Sequence, residues 1–199
     1  MLKDLIYAVA SYLRMDDVCD YLDSLNQEET GIIVTDSETF LTEPKEIKLL
    51  TNLTNLVLGQ ILREYLPLYT EEIVSSNANC EIAFSSFSKK VNQIINVSFV
   101  DGLNSTFRIF PEYIKVGSPQ EKYVVKYSYL PEEITNFNAP IEKPISLSEN
   151  TIALGVCAEY CLIEMLYDEA DMWEAKFKES LQNTIRKLRE KRLPSRGWI

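Results

Sequence analysis

The chain contains no histidine, and its glycines are few and isolated: six among 199 residues. Without histidine there is no Ser-His or Cys-His nucleophile system, which removes the commonest hydrolase arrangements. Isolated glycines leave no P-loop and no GxGxxG turn to cradle phosphate. No apolar run approaches the roughly 20 residues of a membrane-spanning helix. The stretch Met1-Leu2-Lys3-Asp4-Leu5 lacks the pattern of a signal peptide, because Asp4 interrupts any apolar region, so the expectation is a protein made in the cytosol. Four cysteines occur. Cys157 and Cys161 lie four apart on a predicted helix and share a face, but the spacing fits no common zinc pattern, and all four are expected to be buried free thiols. Acidic pairs such as Asp16-Asp17 read as helix caps rather than catalytic dyads. No catalytic residue, metal ligand or cofactor site is expected.

Positive charge is scarce except at one end. From Arg186 onward six basic residues (Arg186, Lys187, Arg189, Lys191, Arg192, Arg196) face one acid, Glu190, so this segment carries +5. The net charge is −10, so the preceding residues carry −15. Such a body should repel nucleic acid over most of its surface. The basic end suits phosphate, an acidic protein surface, or the dipole at a helix C-terminus.

Hydrophobic residues make up 46% and charged residues 25%, an ordinary globular balance. Leu2, Leu5, Ile6, Val9 and Leu13 recur at helical spacing. A second short helix follows Asp16-Asp17, with Val18, Tyr21, Leu22 and Leu25 inward, and a polar stretch covers residues 26–30. Two short β-prone runs, Gly31–Thr35 and Thr39–Thr42, predict a small hairpin. Pro44 suits a helix start, and the helix should run to about Tyr65, where Pro67 stops it. Between Leu68 and Leu130, five or six β-rich runs bounded by Asn, Gly, Pro or Asp predict a small antiparallel sheet or sandwich. Asp101-Gly102 is a turn signal within it.

A proline-bearing connector (Pro131, Pro140, Pro144) leads to Ser146-Leu147-Ser148-Glu149, which reads as a capping box. The helix it opens, to about Met165, is apolar on nearly all sides. A helix of that kind must be covered on nearly all sides, and a neighbouring subunit is a plausible third cover. Leu166-Tyr167-Asp168 is expected as a turn, with Asp168 capping a last helix that carries Ala170, Trp173, Phe177, Leu181, Ile185 and Leu188 on one stripe. The subunit-packing residues this suggests are Ile152, Val156, Tyr160, Ile163, Trp173 and Phe177. The expected fold class is α+β. A mainly helical core (residues 1–67 and 131–193, N-terminal helices plus a C-terminal αα-hairpin) carries an inserted β domain (68–130), and a docking arm follows (194–199).

Several stretches carry a family resemblance. They are Asp16-Asp17-Val18, Tyr65-Leu66-Pro67-Leu68, Tyr127 to Glu133 (Tyr-Ser-Tyr-Leu-Pro-Glu-Glu), Leu154 to Cys161, and Tyr167-Asp168-Glu169-Ala170 with Trp173 to Phe177. The pattern resembles the head–tail connector (adaptor, or neck ring) proteins of tailed bacteriophages, most strongly from Ser148 to Ile199. The resemblance implies a non-enzymatic virion protein, assembled as a homo-oligomeric ring, typically a dodecamer, beneath the portal protein. Downstream neck or tail proteins would be further partners. Genomic DNA would pass through the lumen without sequence-specific binding, and no membrane would be involved. The subunit would be in the host cytoplasm during assembly and in the virion neck afterwards. It also implies a C-terminal arm that engages the portal. That role falls on Arg186, Lys187, Arg189, Lys191, Arg192 and Arg196, with Trp198 and Ile199 as the apolar anchor. Two other readings stand beside it, a tail-completion or stopper ring using the β insertion as its main contact, and a DNA-binding regulator using the basic helix.

Overall fold

A computed structural model describes residues 1–29, 45–137 and 139–188. The fold is α+β, with helices at both ends of the chain and antiparallel strands between them. Two compact units result, one built from Met1–Leu58 with Ile134–Ile199 and the other from Gly59–Glu133. The expected 31–44 hairpin and the 194–199 arm lie outside the described residues. The boundaries fall at 58/59 and 133/134, a little outside the strands, because the last turns of the third helix group with the β unit.

In the helical unit, α1 (Leu2–Leu13) buries Leu2, Leu5, Ile6, Val9 and Ala10. It ends where Arg14 turns left-handed at φ 57° and the Met15 amide reaches back to the Ala10 carbonyl at 2.9 Å. Next comes α2 (Asp16–Glu29), which buries Val18 and Leu22. This helix is longer than predicted: residues 26–29 continue it where the sequence suggested a polar loop. Gln and Glu are good helix formers, and an existing helix extends more readily than a new one nucleates. The third helix, α3 (Lys45–Glu64), presents Ile47, Leu50, Leu53, Val57 and Leu58 to the interior. Asn55 then clamps the returning chain, donating to the Ile134 carbonyl at 3.0 Å and accepting from its amide at 2.9 Å.

The hairpin of α4 (Glu149–Ile163) and α5 (Tyr167–Leu188) closes this unit. Two predicted caps are corrected. Ser148, not Ser146, is the N-cap of α4, with its Oγ accepting from the Thr151 amide at 3.1 Å. Asp168 lies inside the first turn of α5, because the turn occupies Glu164 to Leu166.

The β unit holds two three-stranded antiparallel sheets. One, in the order β1-β6-β3, uses β1 (Leu68–Ser75), β3 (Lys90–Phe99) and β6 (Lys122–Leu130). The other, β2-β5-β4, uses β2 (Glu81–Ala83), β4 (Phe107–Ile109) and β5 (Tyr113–Val116). Strand β1 opens the β-rich stretch at Leu68, directly after Pro67. Its Glu71 is accommodated by pairing with Lys126 on β6, at 3.3 Å. Both sheets turn side chains into one core: Tyr123, Val125, Tyr127 and Tyr129 from β6, and Ile82, Ile114 and Val116 from the second sheet. Register shifts in β3 at Val91/Gln93 and Ile94/Asn96 mark bulges, which add twist and help a short sheet wrap its core.

Candidate interaction surface

The αα-hairpin is built differently at its two ends. At the start of α4 every side chain from Thr151 to Ala158 is buried, as is Cys161. The cover comes from the chain itself, with α1 and α5 packed along the helix and Val57 of α3 against Gly155. A methyl placed on Gly155 would lie 2.7 Å from Val57 Cγ1 and 3.2 Å from the Phe177 ring, so only glycine permits this approach. The buried Thr151 hydroxyl is satisfied by Ser148 Oγ and by Ser180 Oγ, each at 2.8 Å, which ties the start of α4 to α5. Burial, then the neighbouring Cys161, push the Cys157 thiol up to about 12, and burial raises Cys161 as well. Cys19 and Cys80 are half-buried, against the expectation that all four thiols would be buried.

The far end is the reverse. The turn is closed by backbone alone: the Met165 amide donates to the Leu162 carbonyl at 3.2 Å and the Leu166 amide to the Cys161 carbonyl at 2.8 Å. That pair of bonds forms a Schellman motif, with Met165 at its left-handed position, φ 60°. Glycine is the usual residue there, and a bulky side chain costs about 1 kcal/mol or more. Yet Met165 is 74% exposed and contributes nothing to the chain's own core. Around it Leu162, Ile163, Leu166, Tyr167 and Met172 are also exposed. Six exposed large apolar side chains within eleven residues make this end of the hairpin the candidate interaction surface. Glu164, Asp168, Glu169 and Asp171 are exposed within the same stretch, giving the tip an apolar surface among four carboxylates.

These positions correct the predicted packing set. Ile152 and Val156 are fully buried within their own chain, so neither can touch a neighbour, and α1, α3 and α5 cover the start of α4 without the neighbouring subunit that the sequence offered as a third cover. Tyr160, Trp173 and Phe177 are half-buried. Trp173 stacks on Tyr12 of α1 with ring centroids 5.6 Å apart, and Lys176 Nζ sits 4.3 Å from its ring centre. Ile163 alone of the set is substantially exposed, at 49%. Arg186 and Lys187 are exposed in the last turn of α5, where their charge complements the helix dipole. Arg189, Lys191, Arg192, Arg196, Trp198 and Ile199 lie outside the described residues. Sequence reasoning missed Leu162, Met165, Leu166, Tyr167 and Met172 as a surface. The signal was present, since a helix–helix turn reading Leu-Ile-Glu-Met-Leu-Tyr has none of the Gly, Pro, Asn or Ser that turns usually employ.

The β unit offers one polar cluster. Tyr127 Oη and Ser88 Oγ both donate to Glu72 Oε1, and the Ser88 amide donates to Glu72 Oε2 at 3.0 Å. Burial pushes the Glu72 carboxyl up, but the bonds from Ser88 and Tyr127, with Lys89 nearby, outweigh it and hold the group below its usual range. Burial, then Glu72 itself, push the Tyr127 phenol up to about 12. The carboxylate's donors all come from its own chain, and the arrangement straps the Ser88 segment to β1 and β6. Among the described residues, no group of three His, Cys, Asp or Glu side chains could hold a metal ion, and no helix is long and apolar enough to cross a membrane.

Comparison with protein-family models and with curated proteins returns no match for this chain. The tip of the α4–α5 hairpin therefore stands on its geometry alone.

Proposed function

We propose that this protein is a structural subunit of a tailed-phage neck, a head–tail connector that associates with copies of itself in a ring between portal and tail. The observation that carries the reading is the hairpin tip. It spends conformational strain at Met165 to present apolar surface that the described residues leave uncovered. The resemblance of the sequence to connector proteins supplies the context, and the helical unit with its inserted β unit suits it. The −15 charge ahead of Arg186 fits a conduit wall, because cationic contacts to phosphate would slow passing DNA. The virion neck is the corresponding location.

The direct test is electron microscopy of particles carrying a gold label on this protein. Label at the junction of head and tail is the expected result. Label on the capsid shell, at the tail tip, or absent from particles would overturn the reading. A second reading, a stopper or tail-completion ring, draws on the exposed Val100 and Leu103 at the β3–β4 turn. It predicts that portal binding protects that turn from hydrogen exchange, whereas the connector reading predicts protection in the helical unit.

A further inference from the structure

We infer that the hairpin tip is the receptor for the C-terminal arm, residues 189–199, of a second copy of this chain. The inference rests on the ring reading and names the contact that would build the ring. It moves the arm's immediate receptor from the portal to the adjacent subunit.

Three observations converge on that occupant. The first is charge. The tip sets Glu164, Asp168, Glu169 and Asp171 around its apolar side chains, in a protein whose first 185 residues carry −15. A second copy's acidic body would be repelled from it. The arm, by contrast, carries Arg189, Lys191, Arg192 and Arg196 against the single acid Glu190, which complements the tip.

The second is chemistry. The arm brings Trp198 and Ile199 within three residues of Arg196. Tryptophan and arginine are the residues most often found as anchors in interfaces. Met165, Leu166 and Met172 form a deformable apolar bed, since methionine adapts its shape to an aromatic ring and its sulfur interacts favourably with one.

The third is reach, and it separates a second copy from the arm's own tip. The tip lies at the start of α5, and the arm leaves its end, 22 residues on. At 1.5 Å per residue that is about 33 Å. Trp198 follows Leu188 by ten residues, which span at most about 33–36 Å fully extended. An arm folded back along its own helix could reach Met172, 16 residues or about 24 Å before Leu188, but would have to be fully extended, with nothing left for the reversal of direction, to reach Met165 and Leu166. A neighbour imposes no such limit. A contact that joins the arm of one copy to the tip of the next is heterologous, and repeated with a closing rotation it generates a ring.

The test uses the full chain as two isotopically distinct preparations, with Trp198 replaced by photoreactive benzoylphenylalanine. After mixing and irradiation, cross-links from position 198 should map to peptides covering 162–172 and carry both labels. Cross-links confined to one label, or mapping elsewhere on the chain, overturn the inference, as do cross-links that form only to added portal. A charge exchange gives an independent measurement. Glu169→Lys with Asp171→Lys on the tip, or Arg192→Glu with Arg196→Glu on the arm, should each weaken self-association about tenfold or more in sedimentation. Mixing the two should restore it. All four positions lie on the surface or in the arm, and circular dichroism confirms the fold of each variant. A chain that sediments as a monomer at every concentration overturns the arm–tip contact, as does a chain ending at Leu188 that still forms rings. Either result leaves the connector reading to the particle-labelling experiment.

Discussion

Residues 151–158 and 162–172 belong to one hairpin and are both rich in large apolar side chains, yet the first stretch is wholly buried and the second, apart from Ala170, is exposed. The difference lies in what the rest of the chain can bring to each. At the start of α4, three other helices converge and a glycine lets them close in. Nothing described in the unit covers the tip, and the backbone there adopts a left-handed residue that glycine would have served better. Apolar density in a sequence thus states a demand for cover without stating who meets it. At one end of the hairpin the demand is met within the chain. At the other, no described residue meets it.

The same aspartate placed at each end tests this contrast. Val156 is fully buried, so Val156→Asp places a carboxylate in the interior of the helical unit and should cost at least about 4 kcal/mol or prevent its folding. Urea unfolding followed by circular dichroism reads this directly. A loss under about 1 kcal/mol would mean that the start of α4 is open to water and that the contrast is false.

Thiol labelling probes the buried end without changing it. The reactive species is the thiolate, and burial holds Cys157 protonated up to about 12, so at pH 8 its alkylation must await opening of the unit. Cys157 should react at least about a hundredfold more slowly than half-buried Cys80, by peptide mapping after iodoacetamide. The sign for stability follows. A thiol raised in the folded state favours folding at neutral pH, and that contribution is lost as the pH climbs towards 12.

A smaller effect is expected for Gly155→Ala. Alanine gains about 1 kcal/mol in helix propensity, but its methyl would meet Val57 Cγ1 at 2.7 Å, and a short branched side chain has little room to retreat. The clash should win, leaving a net loss of about 1 kcal/mol in thermal or urea unfolding. A gain would show that α3 and α5 can move apart, and that the closure of this end is softer than its burial suggests.

What the sequence made legible follows the range of the interactions involved. Helical and alternating periods are local, so α1, α3, α4, α5 and most strands could be placed, along with the division into helical and β segments. The Ser148 cap was missed by two residues because Ser146 satisfies the same local pattern. The extension of α2 through residues 26–29 was missed because polarity there resembles a loop. Who covers α4 was not legible, because the answer is spread over distant segments: Tyr12 donates to Asn150 Oδ1 at 2.6 Å across most of the chain, and Val57 meets Gly155. Ile152 and Val156 fall in the subunit-packing set suggested by the sequence for that reason, although both are buried within the chain. The tip was passed over because Leu162 and Met165 fell at the end of a helix expected to be covered and Leu166 and Tyr167 in a turn, although the apolar character of those two contradicts what turns ordinarily carry.

The exposed end is therefore best tested where stability should hardly change. Ile163 is the one member of the predicted packing set with half its surface open, and it lies in the last turn of α4, after the buried face has ended. Ile163→Asp should alter unfolding free energy by no more than about 0.5 kcal/mol, the ordinary range for a surface substitution. It adds a fifth carboxylate to the four already there, so the added charge alone does little to a cationic partner; the loss of apolar contact is what should count. Self-association, read by sedimentation, should fall several-fold while the fold is unchanged. If unfolding instead drops by about 2 kcal/mol, the tip is held by the chain after all and the contrast between the two ends of the hairpin fails. If neither stability nor association moves, Ile163 lies outside the contact. The apolar bed would then narrow to Met165, Leu166 and Met172, where the strained backbone places the most exposed of these side chains.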